Sequence, residues 1–377
     1  MSKGGRYLTP KPEKRGKPWL TALVVVLAVI LVVGALGAGF VISKMNKIQR
    51  AEQGENKLSA EDLSGLLVED PTVETEPETL PEETTEPKPT DPDWGKMGKV
   101  INVLLIGQDA REGEDSKNSD TVILLTVNKE TKKIHMTSFL RDSFVYIPTV
   151  MDSNGTPHSG RTKLTLAYAM GYKWGGDLGA MEIMDKVIER NFGAKIDHNI
   201  EVNMEAFDAC INAIGGVTIT LNEDEAKYMN DYFKQYDDRV FEVGENLVDG
   251  WAAEVYVRTR HSNAGDNDYN RTDRQRAVVA QVLEKVKGMS LAQINKLIDQ
   301  LLPMVLTDMT NSDMTNYVME LLPLLPEMTL ESMQCPSEEM GRYGKEIDLF
   351  GDGTPHSVQY FDETKAKSII TAITEAD

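Results

Sequence analysis

An α/β fold is what the sequence predicts: a three-layer α/β/α sandwich with a central mixed sheet, preceded by one transmembrane helix and a disordered linker. Three observations point to it. Short apolar runs rich in β-branched residues follow one another closely, as VINVLLIG (Val100–Gly107), TVILLTVN (Thr121–Asn128) and IHMTSFL (Ile134–Leu140), and such runs suit buried neighbouring strands. From Leu164 onwards helical spacing alternates with further strand signals. Charged residues enter the three strand runs only at their ends.

Along the chain, helical spacing covers Leu164–Met170 and Leu178–Phe192, Asn199–Val202 is extended, and Met204–Ile214 is helical again. Gly215-Gly216 punctuates the chain before a strand in VTITL. Helices are expected over Ala252–Val257, Arg271–Val286, Ser290–Leu306 and Ser312–Leu325, then a strand at Val358–Phe361 and a last helix over Glu363–Ile373. No repeat and no domain boundary is evident after residue 96, so residues 96–377 are expected to form one domain.

The amino-terminal region has a different composition. Residues 1–18 form a basic tail with a single acid, Glu13. From Trp19 to Ile42 the chain carries no charge, enough for a helix to cross a hydrocarbon layer of roughly 30 Å. Six basic residues precede this run and three follow it (Lys44, Lys47, Arg50), so the amino terminus is expected inside the cell membrane and the rest outside, anchored by a single pass. Residues 43–95 are an acidic stretch rich in Pro, Glu and Thr, with too little apolar surface to fold, and are expected to space the domain from the membrane. Within it, Glu61–Val68 has the pattern of a short helix.

The 377 residues include 60 acidic and 40 basic ones, for a formal net charge of -20. That balance argues against nucleic acid as a partner, because non-specific binding relies on a broad basic surface. Any anion must be met by a local pocket. Cys210 and Cys335 lie far apart, and Cys210 falls on an apolar helix face, which suits a small buried hydrophobe better than half of a disulfide. No Cys/His metal spacing, nucleophile elbow or Walker loop is present.

Two stretches carry candidate chemistry. Asp109 follows the first strand in GQDAR and Asp120 opens the second in SDT, so neighbouring strands would project both carboxylates from one sheet edge. Hard oxygen donors so placed suit Mg²⁺, although each Asp could equally cap its own turn or strand. Arg141-Asp142 supplies a third polar strand end. The second stretch, VRTRHSNAGDNDYNRTDRQRA (Val257–Ala277), gathers Arg258, Arg260, Arg271, Arg274 and Arg276. Asp266, Asp268 and Asp273 lie among them, so the group suits surface ion pairs as well as a diphosphate held by several guanidinium forks.

Taken together, GQDAR, SDTVILLTVNKETKKIHMTSFLRDSFV, KLTLAYAMG, INAIGGVTI, YVRTR and DYNRTDRQR resemble, in order and spacing, the LytR-CpsA-Psr family of bacterial cell-wall enzymes over about Val100–Lys287. The resemblance implies a Mg²⁺-dependent phosphotransferase, with Mn²⁺ as an alternative ion. It would move a glycopolymer of teichoic-acid or capsule type from a polyprenyl-diphosphate carrier to peptidoglycan and release polyprenyl phosphate. By motif, Asp109 and Asp120 would hold the metal. Arg141, Arg258, Arg260, Arg271 and Gln275 would grip the diphosphate, Asp268 would lie near the metal or the attacking hydroxyl, and Arg111 would support these groups. Met, Leu and Ile in Leu164–Met170, Met181–Ile188 and Met204–Ile214 could line a slot for the lipid tail or form ordinary core faces. The chain departs from the family at Asn118, where an arginine is common, and in Leu164–Tyr168. Two other functions share the same features: hydrolysis of a lipid diphosphate at the same site, and a non-enzymatic envelope regulator.

Overall fold

A computed structural model of the chain describes residues 47–68, 98–108, 118–258, 278, 281, 285, 289–321, 324 and 327–375. The basic tail, the apolar run 19–42 and most of the arginine-rich stretch lie outside the described residues.

In chain order, β1 (Gln49–Arg50) and α1 (Ala60–Leu66) precede the acidic stretch. Next come β2 (Val100–Gln108), β3 (Ser119–Asn128) and β4 (Lys133–Phe139), followed by a hairpin of β5 (Phe144–Met151) and β6 (Pro157–Lys163). The long helix α2 (Leu164–Phe192) leads to β7 (His198–Val202) and α3 (Met204–Ala213). After β8 (Val217–Leu221) come α4 (Glu223–Phe233), β9 (Gly244–Val248) and α5 (Gly250–Arg258). The carboxyl-terminal part contains α6 (Leu291–Leu301), β10 (Val305–Thr307), α7 (Asn311–Leu321), β11 (Thr329–Cys335), a hairpin of β12 (Tyr343–Asp348) and β13 (Pro355–Tyr360), and α8 (Glu363–Thr374).

Seven strands form one mixed sheet in the order β1-β10-β7-β2-β3-β4-β11. Its centre is the antiparallel trio β2, β3 and β4, the three runs legible in the sequence. Both faces of the trio are buried, which explains why the runs are continuously apolar and not alternating. Leu104, Ile106, Val122 and Leu124 pack with Ile183, Val187 and Ile188 of α2 and Ile370 of α8. Ile101, Val103, Leu105, Ile123 and Leu125 face the other way, with Met314 and Tyr317 of α7 against them. A second apolar cluster joins α3, α4, α5, α6 and the β8–β9 hairpin around Ile211, Phe233 and Ala253. Side-chain caps start several of these helices: Asn203 accepts from Ala206 N before α3, and Asn222 and Glu225 form a capping box at α4.

The two helices expected over 164–192 are present, joined end to end as α2 with the non-helical Gly175 and Gly176 between them, while two other expectations are corrected. Gly176 has φ +67°, and a Cβ there would meet Gly54 N at 2.7 Å, so the bend admits the backbone of the amino-terminal segment. The helix expected over Ser290–Leu306 stops at Leu301, ahead of Pro303, and β10 joins the sheet antiparallel to β7.

Second, the expected linker is not a linker throughout. Residues 47–68 belong to the domain: β1 pairs with β10, Val68 bridges to Arg161, and Leu58 and Leu63 are fully buried in the main core. The acidic stretch therefore leaves and re-enters the same body, between Val68 and β2. Cys210 and Cys335 are free, buried and in different clusters, Cys210 as its apolar helix face suggested.

Candidate functional site

Sheet topology gathers the polar strand ends at one edge. β2, β7 and β11 run the same way as β4, while β3 runs against them, so the carboxyl ends of β2 and β4 meet the amino end of β3. Gln108 pairs with Ser119, and the register shifts between Gly107 and Gln108. Bulges of this kind often re-aim side chains beside active sites. A Cβ on Gly107 would lie 2.9 Å from Thr121 Cβ, so only glycine lets the two strands close up here.

At this edge Arg141, just beyond β4, donates through Nη1 to Asp120 Oδ1 on β3. The guanidinium also lies against Asp142, with Nε 3.6 Å from Oδ2, and Lys163 Nζ stands 3.0 Å from Asp142 Oδ1. The result is a chain of alternating charge, Asp120–Arg141–Asp142–Lys163, whose side chains are 15–26% accessible. Such partial burial strengthens electrostatic contacts relative to water, yet the groups can still reach a ligand. Backbone bonds fix the arrangement: Thr165 N donates to Arg141 O at 2.9 Å and Leu164 N to Ser143 O at 2.9 Å, seating the start of α2 on the Arg141 turn. One turn into α2, the Tyr168 hydroxyl donates to Glu201 Oε2 on β7. Burial first, then the neighbouring Glu201 charge, pushes the Tyr168 hydroxyl well above its usual range, so it remains a donor.

The structure thus brings together two of the residues singled out in the sequence, Asp120 and Arg141. Asp109, Arg111, Arg260, Asp268, Arg271 and Gln275 lie outside the described residues. Arg258 is the last residue of α5, and its side chain is outside them too. Asn118 is half-buried immediately before β3. Lys163 and Glu201 escaped the sequence analysis. The available signals were slight: a lysine just ahead of a helix, and one acid inside the strand HNIEV. Among the described residues no three His, Cys, Asp or Glu side chains gather to hold a metal ion. Of the residues suggested for a lipid slot, Met170, Met184 and Ile188 are fully buried as packing residues of the main core, and Ile211 packs in the second cluster.

The profile of the LytR_cpsA_psr family matches residues 66–366. The chain belongs to this family. It is 33% identical over 205 residues to Biofilm regulatory protein A of Streptococcus mutans, covering 53% of this chain and 48% of that one. It is 34% identical over 215 residues to the polyisoprenyl-teichoic acid–peptidoglycan teichoic acid transferase TagU of Oceanobacillus iheyensis, covering 57% and 60%. The matches thus span about half to three fifths of each LytR_cpsA_psr relative. Among solved structures, protein gbs0355 of Streptococcus agalactiae superposes with a TM-score of 0.56 at 26% identity, over 74% of this chain and 89% of that one.

Proposed function

We propose that this chain is a phosphotransferase that moves a glycopolymer of teichoic-acid or capsule type from a polyprenyl-diphosphate carrier to peptidoglycan. The observation that carries this reading is the partly buried Asp120–Arg141–Asp142–Lys163 chain at the sheet edge, which offers cationic donors and hard carboxylate oxygens in an otherwise acidic protein. Membership of the LytR_cpsA_psr family, and a relative named as a teichoic acid transferase, support the choice of substrate class.

In this reaction the acceptor hydroxyl oxygen bonds to the glycan-side phosphorus. The bridging P–O bond breaks, polyprenyl phosphate leaves, and the hydroxyl proton passes to a carboxylate, for which Asp268 is the candidate. Arg141 neutralises charge building up on the phosphate oxygens, as preorganised donors do in phosphoryl transfer. Asp142, flanked by Arg141 and Lys163, holds the guanidinium in place. Arg258, Arg260, Arg271 and Gln275 would complete the grip, with Arg111 supporting it. Asp120 fits a Mg²⁺ site as a carboxylate on a partly exposed strand end. Together with Asp109 it would hold the ion, which when bound would supply further neutralisation of the diphosphate. The apolar run 19–42 would anchor the protein in the cell membrane, with the domain outside.

Mass spectrometry tests the proposal: full-length chain is incubated with a polyprenyl-diphosphate-linked disaccharide, peptidoglycan oligomers, and Mg²⁺ or EDTA. A Mg²⁺-dependent glycan-phosphate-acceptor adduct is expected. Polyprenyl phosphate without an adduct would point to hydrolysis, and lipid binding without any reaction to a regulator.

A further inference from the structure

The cluster formed by α3 to α6 and the β8–β9 hairpin carries an aromatic surface that the proposed chemistry does not use. Tyr228 and Tyr232 lie one turn apart on α4, and Tyr236 continues the row in the turn that follows, where its N–H donates to Phe233 O at 2.8 Å. The ring centroids of Tyr228 and Tyr232 are 6.3 Å apart with their planes at 28°, and those of Tyr232 and Tyr236 are 5.4 Å apart with their planes at 40°. Trp251, at the start of α5, meets Tyr236 edge-on at 5.4 Å. The Tyr232 hydroxyl bonds with both the Trp251 indole and the Tyr236 hydroxyl.

Arg239 stacks over Phe233 at 4.5 Å and Trp251 at 5.0 Å, and its guanidinium is held by Asp237 at 2.7 Å and Asp249 at 3.2 Å. Tyr236 is 57% exposed, and Val240 and Leu247, in the segment between Tyr236 and Trp251, are 75% and 70% exposed. Exposed apolar side chains concentrated in one short segment favour a contact site.

Charge narrows the partner. Residues 223–251 contain nine acidic residues against three basic ones. Anionic lipid, an anionic glycopolymer and a second acidic copy of this chain would all be repelled. Aromatic rings carry negative faces, which attract the partly positive C–H bonds on the apolar face of a pyranose, while hydroxyls at the ring edges bond to sugar oxygens. The position is also suitable: Trp251 precedes Arg258 by seven residues of α5, an axial rise of about 10 Å.

We infer that Tyr228, Tyr232, Tyr236 and Trp251 form a stacking platform for an uncharged pyranose glycan. That this glycan is the acceptor strand rests on the function proposed above; the platform itself does not. The test uses full-length chain in a detergent without a sugar headgroup, titrated with chitohexaose and followed by saturation-transfer NMR and tryptophan fluorescence. Saturable binding is expected, weakened about tenfold or more by Tyr236→Ala, as for an exposed aromatic anchor, and retained by Tyr236→Phe. Circular dichroism should be unchanged in both variants. No saturable binding by the wild-type chain would overturn the proposal, as would equal binding by Tyr236→Ala. A Tyr236-dependent response to oligolysine or to phosphatidylglycerol vesicles, stronger than that to chitohexaose, would also overturn it. Because binding is read without transfer, a chain that binds the sugar but transfers nothing counts against the proposed function and not against the platform.

Discussion

The Tyr168 hydroxyl and the Glu201 carboxylate are joined in the buried seam where the first turn of α2 crosses β7. Removing the hydroxyl withdraws a donor from a buried acid. Tyr168→Phe is therefore expected to lower stability by about 1–3 kcal/mol, read as a lower Tm and urea midpoint. An unchanged midpoint would show that the bond is energetically idle.

At the opposite end of β7, a single amide serves two acids. Asn199 Nδ2 donates to Asp185 Oδ1 at 3.0 Å and to Asp308 Oδ2 at 3.2 Å, and His198 Nδ1 lies 3.4 Å from Asp308. Burial above all, aided by Asp308, Glu182 and Glu189, pushes Asp185 up to about 8, against the opposing bond from Asn199. Burial also acts to raise Asp308, but bonds from His198 and Asn199 hold it below its usual range. An acid with a raised folded pKa stabilises most when protonated, so the Asp185 contribution is complete below about pH 4 and declines as pH rises towards 8. Asp308 acts oppositely, and its contribution is lost on acidification below about pH 4. Asp185→Asn should flatten the decline between pH 4 and 8, whose slope is at most about 1.4 kcal/mol per pH unit. Urea midpoints across that range measure it, and parallel profiles for wild type and variant would refute it.

Arg141 touches both Asp120 and Asp142. Under the proposed function, Arg141→Ala and Asp120→Ala are each expected to reduce release of polyprenyl phosphate by about 100-fold or more, with an unchanged circular-dichroism spectrum. Arg141→Lys should not restore the rate, because an ammonium cannot reproduce the guanidinium fork. Near-normal turnover in Asp120→Ala would remove that residue from the chemistry.

Leu58 and Leu63 are fully buried although they lie in the stretch that composition assigns to a linker. Leu63→Ala should destabilise by about 2–5 kcal/mol, as for other core leucines. A chain starting at Gly98 should show the same defect more severely in thermal melts, whereas one starting at Lys47 should melt like the full chain.

The central strands were legible because each is a long apolar run buried on both faces. β10 was not, because three residues following Pro303 acquire strand character only by pairing with β7, about a hundred positions earlier. Residues 47–68 were hidden for a similar reason: two core leucines in a polar setting do not change the average composition. At the site, Asp120 and Arg141 could be read as charges ending apolar strands. Lys163 depended on the β5–β6 hairpin returning beside the Arg141 turn, and Glu201 on β7 lying parallel to β2. Those non-local pairings leave no periodic trace in the chain.

The placement of β1 bears on where the proposed transfer would take place. If the run 19–42 is the anchor, only four residues separate Ile42 from Lys47, the first residue described and two before β1. Five extended peptide steps reach about 17 Å. The acidic segment cannot lengthen that leash, because both of its ends are moored on the domain. Under the proposed function, such an anchor would confine the domain to a shallow layer at the bilayer surface, where a lipid-borne donor would arrive by lateral diffusion and the wall strand would have to come down to the membrane to be modified.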